Sequence, residues 1–319
     1  MDEFQIINKY FSKLSKFNNN SLNLNDDVFF DKAKQLIVSV DTYINGVHFI
    51  DFQKPDLVIK KIIRSSISDL ICKGVKPKYY FISGSGNSKT FSSKNLKKIS
   101  KSLNEEQKKY NIYLCGGDTV FSNKLSFTIT SIGFSNNIVF RNKARFNDDI
   151  YVTGNLGDSY TGLRILKKKI NVNYSLKKYF EKKFYLPDLK IKLINKLSSF
   201  ANTSIDVSDG LFSDLGKLIN KQNLSYKLYL DNIPISKNLD NLLISKKLKK
   251  ISFISRGDDY QILFTANSSK SRIINKFAKT VGIKISKIGK ICSNSYKSHI
   301  IDQKGNKIAI KNKGYYHKF

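Results

Sequence analysis

Apolar side chains are spaced along this chain in two ways. Some recur at intervals of three and four, as on one face of a helix, and others form short continuous runs, as in buried strands. Residues 4–17 set Phe4, Ile7, Phe11 and Leu14 at helical intervals and predict an amphipathic opening helix. The run KQLIVSVD at 34–41 predicts a buried strand. Ile59, Ile62, Ile63, Ile67, Leu70 and Ile71 predict a helix over 56–73, with Gly74 as its stop. A strand at 78–83, a helix near 93–109 and strands at 111–115 and 124–134 follow. The alternation then restarts, with a strand at 149–153, helices at 158–169 and 188–199, and a strand at 203–207. A helix at 210–221, strands at 225–231 and 259–266, a helix at 269–280 and strands through 283–291 complete it.

Two successive mixed α/β (α+β) halves are the economical reading: residues 1–140 and 141–319, joined in the polar stretch from Arg141 to Asp149. The Ser/Gly/Asn-rich segment from Ser83 to Ser93 is expected to be a mobile loop, a candidate active-site flap.

Composition narrows the class. A 40% hydrophobic and 12% aromatic content supports a packed core and excludes wholesale disorder. No apolar run approaches the roughly 18–20 residues of a spanning helix, so no membrane association is expected. The opening Met1-Asp2-Glu3-Phe4 is acidic where a secretory signal would be basic. Cys72, Cys115 and Cys292 are scattered and form no CxxC, which fits a reducing cytoplasm. The formal charge of +31 suggests polyanions, but only six of the 56 basic residues are Arg, the side chain that forks onto phosphates and bases. The lysines run through the whole chain alongside abundant Asn, Ile, Phe and Tyr, as compositional drift on solvated faces would leave them. No specific nucleic-acid partner is expected; weak polyanion binding at low salt is.

The 25 acids are the more informative residues. Many stand at predicted strand ends or helix starts beside Gly, Ser or Thr: Asp26-Asp27, Asp41-Thr42, Ser68-Asp69, Gly116-Gly117-Asp118-Thr119, Asp206-Val207-Ser208-Asp209-Gly210 and Gly257-Asp258-Asp259. Singly, such an aspartate is a turn former or helix N-cap. Together they suit magnesium, which takes hard oxygen ligands and bridges to substrate phosphates. The common nucleotide loops are missing. Ser83–Thr90 imitates a P-loop, but Ser stands at both required glycines, and the GxG of Gly84 and Gly86 has Lys89 at its third position. Thr153-Gly154-Asn155-Leu156-Gly157-Asp158 is either an anion site at a helix start or a tight turn. His48, His299 and His317 are far apart in sequence, and no Ser or Cys sits in a nucleophile elbow. Metal-assisted phosphoryl transfer, which asks little covalent work of the protein, is what remains.

In this order the motifs resemble the thiamine-monophosphate kinase family, of the superfamily that includes aminoimidazole ribonucleotide synthetase, selenophosphate synthetase and a hydrogenase-maturation protein. The likeness runs through Asp26-Asp27, Ser39-Val40-Asp41-Thr42, Gly46-Val47-His48-Phe49, Ser68-Asp69-Leu70 and Gly116-Gly117-Asp118-Thr119. It continues with Tyr151-Val152-Thr153-Gly154, Ile205–Leu211, Gly257-Asp258-Asp259-Tyr260 and Gly314-Tyr315-Tyr316-His317. The resemblance implies a two-domain aminoimidazole-ribonucleotide-synthetase-like fold. Its N-terminal domains pair into a β-barrel across a homodimer, and the cleft lies against that interface. It implies transfer of the ATP γ-phosphoryl group to thiamine monophosphate, giving thiamine diphosphate, with several Mg2+ ions and no general base. Carried over by motif, the metal ligands are Asp27, Ser39, Val40 (through its carbonyl), Asp41, Asp69, Asp118, Asp206 and Asp209. ATP contacts would come from Tyr110, Gly117, Asp118, Arg141 and Ser208, and thiamine monophosphate contacts from His48, Asp258 and the position of Asn312.

Three positions depart from the family pattern. Asn25 replaces a glycine before the paired aspartates, GDDYQ replaces GEDYE, and Asn312 stands where an aromatic would stack on the substrate ring, with Tyr315 or Tyr316 as substitutes. Without the resemblance, His48 reads first as a core histidine, and Arg141 could be a linker charge, Tyr110 a packing residue and Asp258-Asp259 a turn. Two other functions stay open: a sister ATP-dependent synthetase of the same fold, and a non-catalytic polyanion-binding protein.

Overall fold

Strand register follows from side-chain alternation in the first half of the chain. A computed structural model describes residues 1–317. Residues before 140 form α1 (Glu3–Ile6), β1 (Phe29–Asp31), β2 (Leu36–Ile44), α2 (Pro55–Cys72), β3 (Pro77–Gly86), α3 (Ser93–Tyr110), β4 (Tyr113–Phe121) and β5 (Ser126–Phe134). On β2, Ile37, Ser39 and Tyr43 are buried while Val40, Thr42 and Ile44 are exposed, so a one-residue slip would turn the core face to water. The strands order β1-β2-β5-β3-β4 in one sheet; β3 and β4 are parallel, connected through α3, and the other pairs are antiparallel.

The second half forms β6 (Asp149–Thr153), α4 (Asp158–Leu166), α5 (Tyr174–Tyr185), α6 (Ile194–Phe200), β7 (Thr203–Asp206), α7 (Leu211–Leu218) and β8 (Leu224–Tyr229). It continues with α8 (Lys237–Ser245), α9 (Ile251–Ile254), β9 (Ile262–Ala266), α10 (Ser271–Val281), β10 (Ile285–Ser293), β11 (His299–Ile301) and β12 (Lys307–Ile308). Its seven strands order β12-β11-β8-β10-β6-β9-β7, antiparallel except for β8 with β11. The fold class is mixed α/β, as expected.

The α2 helix joins the halves. Pro55 opens it where the missing N–H costs nothing, and Gly74, at φ +76°, ends it. It is buried on nearly every side, which is the mark of a central helix rather than a surface one. Its Ile59, Ile62, Ile63 and Ile67 are each removed from water, worth about 1.5–3 kcal/mol apiece. One hydrophobic cluster runs from Tyr43, Tyr80 and Phe127 through α2 to Tyr151, Phe184 and Phe264, so the core is continuous between the two sheets.

Several expected elements differ. The opening helix is regular only over Glu3–Ile6 and then tightens and widens irregularly to Ser15, because Phe11 and Leu14 find no core and stay exposed. The segment expected to be a loop is mostly strand and turn. Its first residues extend β3 to Gly86, and Asn87 closes a tight turn by accepting the Lys89 and Thr90 N–H groups. The strand at 111–115 runs on to Phe121, which places Gly116–Asp118 within β4 rather than at a strand end. Helices α5 and α8 were not expected. Asn173 caps α5, and Phe180 and Phe184 bury its inner face.

Candidate active site

Three elements bring carboxylates together beside the C-terminal end of α2. Asp41 lies on β2, Asp69 on the last turn of α2, and Asp206 ends β7. Asp27 precedes β1. Among the described residues no Lys, Arg or His side chain is ion-paired to Asp41, Asp69 or Asp206. Their acidities record it. Burial, then repulsion from Asp206, raises Asp41 to about 7, against a 3.2 Å hydrogen bond donated by the Tyr43 hydroxyl. Burial and the charge on Asp27 raise Asp206 to about 6, although the Ser68 hydroxyl donates to it at 2.7 Å. Burial first, then Asp41, Asp206 and Asp27, push Asp69 well above the carboxylate range.

Asp27 behaves oppositely. Burial would raise it, but Arg141, Lys73 and Lys217 outweigh burial and hold it down to about 2. Arg141 stands 3.5 Å away and Lys73 3.3 Å. Lys73 also reaches Asp26 at 2.6 Å and the Ser204 carbonyl at 3.0 Å, and the Arg141 N–H donates to Asp26 at 2.8 Å. Arg141 also lines a cavity of about 420 Å³, together with Asn25, Asp26, Phe140, Lys143 and Lys221.

The loop 207–210 brings Ser208 and Asp209 to the same region. Gly257 approaches the Ser208 carbonyl so closely that a Cβ would lie 1.7 Å from it, and the Asp258 N–H donates to that carbonyl at 2.8 Å. At the start of α7, the fully buried Asp214 accepts the N–H groups of Asp209 and Gly210 at 3.0 and 2.9 Å. Burial raises Asp214 to about 7 against the pull of Lys217. Lys217 pairs with both Asp209 and Asp214. Neither Asp214 nor Lys217 was singled out from the sequence. The available signal was a charged pair three apart inside the apolar helix LFSDLGKL.

A second corner assembles the expected acceptor residues. His48 takes the Ile44 N–H on Nδ1 at 2.9 Å, and its ring lies 5.6 Å from that of His317. Burial, then His317 and Lys61, lower the His48 pKa, with Asp258 opposing them. Asp258 sits 2.9 Å from the ammonium of the buried Lys61, which also lies 3.5 Å over the Phe184 ring. The next residue does different work: Asp259 caps α4 by accepting the Gly157 and Ser159 N–H groups at 2.6 and 3.2 Å. Asn312 accepts the Gly314 N–H at 3.0 Å in a turn, while Tyr315 donates its N–H to the Asp209 carbonyl and stacks edge-on with His317. The tail therefore reaches both corners.

Other expected residues are elsewhere in the single chain. The register Asp41–Ile129–Ile82–Gly117 puts Gly117 and Asp118 three strands from Asp41, about 14 Å along the sheet. All nine β4 residues are exposed, and a Cβ at Gly117 would meet the Ile82 carbonyl at 1.7 Å. Tyr110 is buried under the Arg64 guanidinium, which forks onto Glu106 with two 2.8 Å hydrogen bonds. Ser39 is buried and donates to the Ser66 carbonyl at 3.4 Å, while the Val40 side chain faces out.

Among the described residues no three His, Cys, Asp or Glu side chains form a ready-made metal cage. Magnesium needs none, since it keeps several waters and takes one or two carboxylates plus substrate phosphates. Hard oxygens at Asp27, Asp41, Asp69 and Asp206, three of them lacking any cationic partner, fit that ion.

Residues 25–135 match the model of the AIR synthase related protein N-terminal domain family. The chain is 35% identical over 323 residues to the thiamine-monophosphate kinase of Buchnera aphidicola subsp. Schizaphis graminum, covering 99% of this chain and 98% of the relative. It is 32% identical to that of Haemophilus influenzae, covering 91% and 89%. The fold matches the solved structure of AaThiL complexed with AMPPCP and TMP, with a TM-score of 0.85, 23% identity and coverage of 99% and 97%.

Proposed function

The chain belongs to the thiamine-monophosphate kinase family, and on that footing we propose that it phosphorylates thiamine monophosphate to thiamine diphosphate at the expense of ATP. The observation that carries this reading is a set of carboxylates poor in cationic partners, joined to the His48–Asp258 corner by a tail whose Tyr315 N–H reaches the Asp209 carbonyl and whose His317 ring lies 5.6 Å from that of His48. Two anionic ligands cannot be held directly by aspartates. Bound Mg2+ would neutralise and align both sets of phosphates for in-line transfer. Asp27, Asp41, Asp69, Asp206 and Asp209 would hold it, with Asp118 added where a second copy meets the site. Arg141, which lines the large cavity, and Ser208, beside Asp209, would contact the nucleotide. His48, with Nδ1 occupied by the Ile44 N–H, offers Nε2–H to the acceptor, and Asp258, held by Lys61, offers a carboxylate. The acceptor phosphate is already ionised at neutral pH, so no side chain has to remove a proton.

The open N-terminal sheet supports a homodimer. Val40, Ile44, Phe81, Val120 and Phe121 are all exposed, and β4 is an unpaired edge. Residues 1–140 and 141–319 are proposed as the two domains, one around each sheet. A cytoplasmic location fits the three free cysteines. No helix among the described residues is long and apolar enough to cross a membrane.

The test is a product assay. Purified protein with ATP and Mg2+ should convert thiamine monophosphate to thiamine diphosphate with an equal amount of ADP, and should use unphosphorylated thiamine poorly. Turnover of ATP with formylglycinamidine ribonucleotide, and none with thiamine monophosphate, would place the chain with the sister synthetases instead.

A further inference from the structure

Two lysines touch the candidate metal ligands, and they are held differently. The Lys73 ammonium is wholly buried and fixed by three oxygens, from Asp26, Asp27 and the Ser204 carbonyl. Lys217 reaches its partners from α7, eight residues after Asp209. Its ammonium contacts Asp209 Oδ2 closely and lies 3.3 Å from Asp214 Oδ1. Asp214 is immobile, with no exposed side-chain surface and two backbone N–H groups on its other oxygen. Asp209 is 29% exposed and can turn, whereas Lys217 is 15% exposed. Lys217 therefore has one fully buried carboxylate partner and one at the edge of solvent, with the Phe4 ring 5.4 Å from its ammonium.

We infer that Lys217 is a displaceable internal counter-ion: its ammonium holds Asp209 while no metal is bound and must leave that carboxylate before a divalent cation takes it. The inference rests on the reading of Asp209 as a metal ligand. Its physical content is a competition. A single positive charge on a tethered side chain occupies the carboxylate at high effective concentration, so an incoming ion has to displace it. Losing Asp209 does not strand the ammonium, because Asp214 keeps it paired. The arrangement lowers intrinsic affinity for a bare ion and leaves the full ligand set to an ion that arrives with phosphates.

Mn2+ binding to the purified full chain without nucleotide, followed by electron paramagnetic resonance, tests this without any activity measurement. Lys217→Gln removes the competing charge and should bind Mn2+ about tenfold more tightly than the parent at the Asp209 site. Lys217→Arg keeps the charge and has a fork for two carboxylates, so it should bind no more tightly than the parent. Unchanged or weaker binding by Lys217→Gln, or tighter binding by Lys217→Arg, overturns the inference. Absence of Mn2+ uptake by the parent and by Lys217→Gln alike overturns the metal reading itself. Should Lys217→Gln fail the circular-dichroism check for folding, the Lys217→Arg comparison decides alone.

Discussion

Asp27 and Asp41 are aspartates of one cluster, yet the fold treats them in opposite ways. Asp27 is supplied with Lys73 and Arg141 and stays ionised down to about pH 2. Asp41, with Asp69 and Asp206 for neighbours, has no cationic partner among the described residues and keeps its proton up to about pH 7. Charges that serve stability are normally paired within the chain. A buried carboxylate left beside other carboxylates costs stability and marks a place prepared for a positive charge from outside. Asp27, the closed end of the cluster, thus meets any ligand already balanced by the fold's own cations, whereas Asp41, Asp69 and Asp206, its open end, depend on a positive charge from outside.

Removing a charge at the open end should give the largest effect. Asp41→Asn at that end, and Asp118→Asn on the exposed β4 edge, are each expected to lower transfer by about a thousandfold or more, since each removes a carboxylate needed only to hold the cations that meet the phosphates. The folded state should survive. Activity within about fivefold of the parent at saturating Mg2+ would remove that residue from the ligand set.

At the closed end the loss should fall on stability. Lys73→Met strips Asp26 and Asp27 of their buried ammonium and should cost about 3–5 kcal/mol in urea denaturation, the scale for breaking a buried ion pair. A loss under about 1 kcal/mol would mean that Arg141 alone suffices and that the contrast between the ends is overstated.

His48 lies outside both ends. His48→Ala should raise the KM for thiamine monophosphate about tenfold and leave that for ATP nearly unchanged, because it removes binding shared by ground and transition states. Equal rises in both would detach His48 from the acceptor.

The smallest effect is a pH dependence in EDTA. Unfolded Asp41 releases its proton near pH 4, whereas folded Asp41 holds it to about 7. Between those values the unfolded state binds fewer protons, so stability falls as pH rises. Asp41→Asn should therefore match the parent in thermal midpoint near pH 4 and exceed it by about 2–4 °C near pH 8. Asp27 has the reverse sign, contributing stability above pH 4 that is lost as the pH falls towards 2. A gap of constant size across this range would show that Asp41 is not strained by charge.

Much of this was legible in the sequence, and the reasons differ by residue. The α2 helix and β2 announced themselves by periodicity, Asp41, Asp69 and Asp206 by nearby small hydroxyl or glycine residues, and Asp27 by its pairing with Asp26. The convergence of His48 with Asp258 was implied only by family likeness, since 210 residues of chain separate them. Lys61, Lys73 and Lys217 were lost among fifty lysines. Only burial distinguishes a lysine that neutralises an aspartate from one that faces water. Asp118 shows another limit. Motif order put it with the other ligands, whereas strand pairing places it on an exposed edge of the single chain, where only an assembly could complete its role. The irregular opening helix had the right spacing but no surface to cover.

The central claim is that the open carboxylates serve cations that bridge two sets of phosphates. Calorimetric titration of thiamine monophosphate into the protein with a non-hydrolysable ATP analogue, in Mg2+ and again in EDTA, tests it most directly. The account predicts that acceptor affinity drops at least about tenfold in EDTA, while thiamine binds weakly and equally in both, because only a phosphate can use the bridge. Thiamine monophosphate binding as tightly in EDTA as in Mg2+ would contradict it.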